Sequence, residues 1–211
     1  MNAIRQTFLE TGALAAGLLE SIEVLRAWDS PSALEEFSVR GLAGHLLRAT
    51  GSVEAYLDRE EPEGDPVGAA EYYAAAVDET DIRSPLHQAI RDRGEQAAAR
   101  GHGALVEEAH ALLDRLRPRL ESEPAGRKLR VYKDLVLSLD DYLVTRLIEL
   151  VVHVDDLAVT VGLPPPRVPD AANEAAIRTL VDVARFRHGD LAVVRSLTRR
   201  ERDAIQALRV L

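Results

Sequence analysis

The segment Asp140-Asp-Tyr142-Leu-Val-Thr-Arg146-Leu-Ile-Glu149-Leu-Val-Val-His153-Val-Asp155-Asp156-Leu-Ala-Val-Thr160 reads as one helix. Gly162 and the run Pro164-Pro-Pro166 close it, because a glycine cap and prolines end helical geometry. Tyr142, Arg146, Glu149, His153 and Asp156 stand at offsets of 0, 4, 7, 11 and 14. At about 100° per residue these five polar side chains share an arc of about 80°. Around them lie Leu143, Val144, Leu147, Ile148, Leu150, Val151, Val152, Val154 and Leu157. A helix this apolar is buried on most sides, so its polar stripe is expected to face the inside of a helix bundle. Buried ionisable groups are costly unless paired or metal-bound.

Helix signals also dominate outward from this segment. Residues 2–28 carry Ile4, Phe8, Leu14, Leu18, Ile22 and Leu25 at three-to-four spacing, which predicts one long helix stopped by Asp29-Ser-Pro. Ser38 is a good N-cap for a second helix that turns Val39, Leu42, Leu46, Val53 and Leu57 inward and ends before Pro62. Residues 54–81 hold ten acids and one arginine, and read as a solvated connection with a short helix near 71–77. Ser84-Pro85 opens a third helix to about Leu120, weakened in its middle by Gly101-His-Gly103. His87, His102 and His110 on it have no partner at metal spacing and are expected at surface or capping positions. Residues 121–138 form a loop in which 129–137 could contribute a short extended piece. A fifth helix is expected over 171–186, and then a basic tail with Arg199-Arg200-Glu-Arg202 and a final apolar Val210-Leu211. Pairing of that tail with the acidic connection is expected. The pattern predicts an all-α four-helix bundle over residues 1–187, with a tail over 188–211 packing on it.

Composition narrows the function classes. The chain has 211 residues, 46% of them hydrophobic and 29% charged, enough for one domain with a real core. Its net charge of −9 argues against a nucleic-acid surface. No apolar run has the length of a membrane span, and the first residues lack the pattern of a signal peptide, so a cytoplasmic location is expected. With no cysteine there is no disulfide framework, no thiolate metal ligand and no thiol nucleophile of the chain's own.

Glu149 and His153 are one helical turn apart, a spacing that lets both side chains converge on one cation. The second helix offers His45, in Val39-Arg-Gly-Leu-Ala-Gly-His45-Leu-Leu, where a histidine on an apolar face needs a partner. Two histidines and one carboxylate make a three-ligand set that leaves positions open for water or substrate. The same residues also read as a satisfied buried ion pair and a hydrogen-bonded core histidine. Arg146 and Asp156 likewise read as a core salt bridge and a cap partner.

Thr145-Arg146-Leu-Ile-Glu149-Leu-Val-Val-His153-Val-Asp155-Asp156-Leu157-Ala resembles the fourth-helix motif of the mycothiol-dependent maleylpyruvate isomerase N-terminal family, within the DinB-like bundle superfamily. Phe37-Ser-Val-Arg-Gly-Leu-Ala-Gly-His45-Leu resembles its second-helix motif, where a tryptophan often stands at the place of Phe37. The resemblance covers roughly residues 5–187. It implies a DinB-like four-helix bundle holding one divalent metal, usually zinc, on His45, Glu149 and His153. It implies mycothiol as a thiol cosubstrate, a small electrophile as its partner, and Arg146 and Asp156 as residues that orient the ligands, with Tyr142 lining the mouth. It also makes a homodimer plausible. About 49 residues follow Gly162, too few for the separate C-terminal domain of the fuller isomerases as well as a fifth helix, so maleylpyruvate isomerisation itself is not carried over.

Three functional readings follow. The first is a metal-dependent thiol S-transferase or thiol-dependent isomerase. The second is a zinc hydrolase whose open position holds hydroxide, for which Asp156 is the one base on the stripe. The third is a non-catalytic helical bundle that binds a ligand or partner.

Overall fold

The computed structural model describes residues 1–76 and 81–198. Asn2 caps the first helix by accepting from the Arg5 amide, and α1 runs over Ala3–Leu19. The single helix expected over 2–28 is broken, because Ser21 turns its hydroxyl to the Val24 amide and starts a new short helix, α2 (Ile22–Arg26). The break re-aims the side chains. Val24 is buried, whereas Ile22 and Leu25, expected on the apolar stripe, are 48% and 47% exposed. Ser38 caps α3 (Val39–Leu57), and its five expected inward residues are all buried. Within the acidic connection, α4 covers Ala69–Ala76. Residue 77, the expected end of that helix, lies outside the described residues.

The single helix expected over 84–120 is also two. Ser84 and Pro85 open α5 (Pro85–Ala97), and α6 follows over His102–Ser122. The corner between them is Gly101, at φ +91°, a backbone region that glycine enters without strain. The extended piece expected in 129–137 is a hairpin of β1 (Lys128–Arg130) and β2 (Val136–Ser138), with Leu129 opposite Leu137. Ser138 then caps the polar-striped helix, α7 (Leu139–Thr160), through the Asp141 amide. Beyond the prolines, α8 (Asp170–His188) and α9 (Asp190–Thr198) meet at Gly189, so the expected tail begins with a further helix. The cluster Arg199-Arg200-Arg202 and the terminal Val210-Leu211 lie outside the described residues. Arg187, in the last turn of α8, donates to the Tyr73 carbonyl of α4 at 3.3 Å. Arg185 pairs locally with Asp182 and Asp190 instead.

α1 and α3 each pack on both α6 and α7, which gives an all-α four-helix bundle with the order α1, α7, α3, α6 around its axis. α8 packs on α7 and α4 outside it, and α9 on α8. Two contacts fix how the elements meet. Arg5, 4% exposed, donates to the carbonyls of Leu120, Glu123 and Pro124 and pairs with Asp140, so one side chain satisfies the end of α6 and ties it to α7. A Cβ at Gly44 would stand 2.0 Å from the Gly94 carbonyl oxygen, and one at Gly94 would stand 2.4 Å from that of Gly41. Only glycines permit α5 to lie this close to α3. Among the described residues no helix is long and apolar enough to cross a membrane.

Candidate metal centre

The apolar residues of α7 bury its flanks against α1, α3 and α8, and this leaves the polar stripe facing inward. Glu149 and His153 stand on it one turn apart. α3, seated against α7, presents His45 to the same point. Glu149 Oε2 is 3.3 Å from His45 Nε2 and 3.5 Å from His153 Nε2. One donor atom from each of the three residues lies within 4.8 Å of the other two. Donor atoms held about 2.1 Å from a tetrahedral zinc ion are about 3.4 Å apart, so the two short separations fit a shared cation. The two imidazoles meet edge to face, with centroids 4.7 Å apart, and Phe37 backs His45 at 5.9 Å. The three side chains keep only 15–19% of their surface exposed.

Their orientation is held from behind. His153 Nδ1 is 2.9 Å from Asp156 Oδ2. A proton at Nδ1, donated to Asp156, leaves the Nε2 lone pair directed at the shared point. The phenol of Tyr73 donates to Glu149 Oε1 at 2.9 Å and lies 3.0 Å from the Thr145 carbonyl. This leaves Oε2 for the histidines.

The charges follow from this arrangement. Burial opposes an imidazolium at His153, but hydrogen bonds to Asp156 and Glu149 outweigh it and push the group up to about 9. Burial dominates at His45 and holds it below its ordinary value, with the neighbouring His153 charge adding to the effect against the bond to Glu149. Burial works against the Glu149 carboxylate too, yet its bonds to His153 and His45 and the charge of Arg146 hold it well below the usual range. A site with one committed carboxylate, one neutral imidazole and one imidazole whose proton a metal can displace suits a divalent cation.

The centre opens into a cavity of about 620 Å³. Its walls come from α3, α4, α5 and α7, and from the turn that joins β1 to β2. All five tyrosines of the chain line it: Tyr56, Tyr72, Tyr73, Tyr132 and Tyr142. Three arginines, Arg48, Arg93 and Arg146, also line it, with Glu149 as the one carboxylate among the described lining residues.

Each residue singled out in the sequence has a definite place. His45, Glu149 and His153 converge, and Asp156 touches His153. Arg146 hydrogen-bonds none of the three. Its Nε donates to Thr145 Oγ1 at 3.1 Å, its guanidinium lies 5.0 Å from the Tyr142 ring centroid, and it acts on Glu149 through charge. Tyr142, expected at the mouth, is a buried wall residue whose hydroxyl donates to Ser52 Oγ at 2.8 Å. His102 contacts the Leu19 carbonyl and His110 pairs with Glu20, whereas His87 lines the cavity. Sequence reasoning did not single out Tyr73, Arg48 or Arg93. Tyr73 sits in a connection whose acidity reads as solvent exposure, and the one signal that could have raised it is the scarcity of tyrosine elsewhere.

No curated protein and no solved structure matches the chain. Residues 10–158 match the family model described as mycothiol maleylpyruvate isomerase N-terminal domain. The match begins in α1, ends in α7, and contains the three converging residues, all of α3 and most of α7. By that match the chain belongs to the mycothiol maleylpyruvate isomerase N-terminal domain family.

Proposed function

We propose that this chain is a metal-dependent thiol S-transferase, or a thiol-dependent isomerase, that activates mycothiol against a small electrophile. The observation that carries the reading is the meeting of His45, Glu149 and His153 at ligand spacing on the inner side of an open cavity. A divalent ion there, zinc by preference for this donor set, supplies the positive charge that keeps a thiol ionised near neutral pH. The chain has no cysteine, so the thiol has to arrive as a cosubstrate. Asp156 holds the His153 tautomer, Tyr73 holds the rotamer of Glu149, and Arg146 offsets the Glu149 charge. In a transfer the thiolate sulfur bonds an electrophilic carbon and the leaving group departs with the bonding pair. In an isomerisation the same bond forms and then breaks, which returns the thiol.

The hydrolase reading is less well supported. It needs a free general base, and Asp156, its candidate, is occupied with His153 Nδ1 at 2.9 Å. The test is a cobalt-substituted protein titrated with mycothiol. A new sulfur-to-metal absorption band in the near ultraviolet, together with electrophile turnover that requires the thiol, supports the proposal. Equal turnover without thiol supports hydrolysis. Neither a band nor turnover leaves a binding module.

A further inference from the structure

The five tyrosines of the cavity wall differ in what their hydroxyls do. Tyr73 and Tyr142 donate theirs to Glu149 and Ser52. Tyr132 is 44% exposed and Tyr56 is half-buried, so solvent can reach both. Tyr72 is only 8% exposed, and among the described residues its hydroxyl has no hydrogen-bond partner. A buried phenol normally finds one. The Tyr72 oxygen is not sealed inside the protein, because Arg127 Nε is the one described side-chain atom that is both enclosed and without a hydrogen-bond partner. The open space that Tyr72 lines is the cavity.

Its placement puts this hydroxyl beside the metal centre. Tyr72 and Tyr73 are consecutive on α4, their rings edge to face with centroids 5.7 Å apart, and the Tyr73 hydroxyl is 2.9 Å from Glu149. Burial pushes the Tyr72 phenol up to about 12, against the pull of the Arg146 charge, so it keeps its proton near neutral pH and acts as a donor. Arg146 has donors to spare as well. Its Nε is used on Thr145, and among the described residues Nη1 and Nη2 have no partner. Neither is enclosed, and the residue lines the same cavity. A donor held in a buried cavity within the field of a fixed cation, with no partner to give up, stabilises negative charge on oxygen without reorganisation.

We propose that the Tyr72 hydroxyl is a catalytic hydrogen-bond donor to an oxygen of the electrophile, with the Arg146 guanidinium supplying positive charge behind it. As the thiolate sulfur bonds the electrophilic carbon, the electron pair displaced from that carbon moves onto the oxygen. Tyr72 donates a hydrogen bond to that oxygen and keeps its own proton. In a transfer the pair stays on oxygen and water protonates it. In an isomerisation the pair returns to carbon as the sulfur departs. This inference rests on the functional reading above, to which it adds the residue that meets the developing charge.

The experiment is an absorbance titration with para-nitrophenol near neutral pH, on protein treated with chelator and again after zinc is restored. Its phenolate carries on oxygen the kind of charge that the reaction would create. Wild type is expected to raise the phenolate band to saturation in both metal states. Tyr72→Phe should weaken phenolate binding about tenfold while leaving para-nitroanisole, the uncharged methyl ether, bound as in wild type. Tyr132→Phe, at the exposed side of the cavity, should change neither. A second measurement needs no variant: across a series of substituted phenols, wild type should bind the phenolates more tightly as the oxygen becomes more basic. That series decides the matter if Tyr72→Phe loses both ligands. Phenolate affinity unchanged in Tyr72→Phe overturns the proposal. So does phenolate binding that requires zinc, an absence of saturation, or affinity that does not rise with basicity. Zinc content, measured on the same samples, reports on the metal centre separately. A wild type that takes up no zinc yet binds phenolate through Tyr72 contradicts the metal reading alone.

Discussion

Tyr73 on α4 donates its phenolic hydrogen to Glu149 Oε1 at 2.9 Å, while the other oxygen of Glu149 stands 3.3 Å from His45 and 3.5 Å from His153. A helix outside the four-helix bundle thus fixes the carboxylate at the bundle's centre. Tyr73→Phe removes this bond and keeps the ring that fills the wall. The variant should bind zinc about tenfold more weakly and lose about 1–2 kcal/mol of stability. Chelator competition and urea unfolding measure the two effects. Unchanged zinc affinity would show that Glu149 holds its rotamer without Tyr73.

Asp156 has the corresponding relation to His153. Asp156→Asn keeps the shape and removes the charge that favours a proton on Nδ1. Zinc affinity should fall about 10–100-fold while helicity stays the same. A variant that loads zinc like the wild type would reduce Asp156 to a surface cap.

The pH dependence has opposite signs with and without metal. In the metal-free protein His153 is raised from 6.5 to about 9. The stability it contributes is therefore fully present below about pH 6.5 and lost as pH rises through about 9. Zinc displaces the same proton, so apparent zinc affinity should rise about tenfold per pH unit between about 7 and 9 and then flatten. His45, held below its ordinary value, is already neutral across that window. A flat profile in chelator titrations would mean that His153 carries no proton for the metal to displace.

The gap between sequence and structure has physical causes that can be located. The bundle and the meeting of His45, Glu149 and His153 were legible because α7 is mostly apolar around one polar stripe, a pattern that burial explains, and because the stretches carrying these residues resemble two motifs of one family. The helix breaks at Ser21 and Gly101 were not, since a serine within a helical pattern and a glycine in a weak stretch each have continuous-helix readings as well. Tyr73, Arg48 and Arg93 were hidden for a different reason. They lie on three separate helices, and their shared cavity depends on the packing of α4 and α5, which no periodicity encodes.

That packing can be tested at its tightest point. A Cβ at Gly94 would meet the Gly41 carbonyl oxygen at 2.4 Å, so Gly94→Ala has to push α5 away from α3. The cost should be about 3 kcal/mol. Gly103, in the first turn of α6, has nothing within 4 Å of its built Cβ, and Gly103→Ala should gain about 0.5 kcal/mol. Urea midpoints moving in opposite directions would bear out the close approach, and two equal shifts would refute it.

Elemental analysis of metal per chain, on untagged protein purified without added metal, tests the central claim most directly. Wild type, His45→Ala and His153→Ala are compared. About one equivalent of zinc or a similar divalent ion in the wild type, lost in both variants, is the predicted result. A wild type that stays empty even when zinc is offered, or variants that keep a full equivalent, would contradict it and leave His45, Glu149 and His153 as a buried hydrogen-bonded cluster.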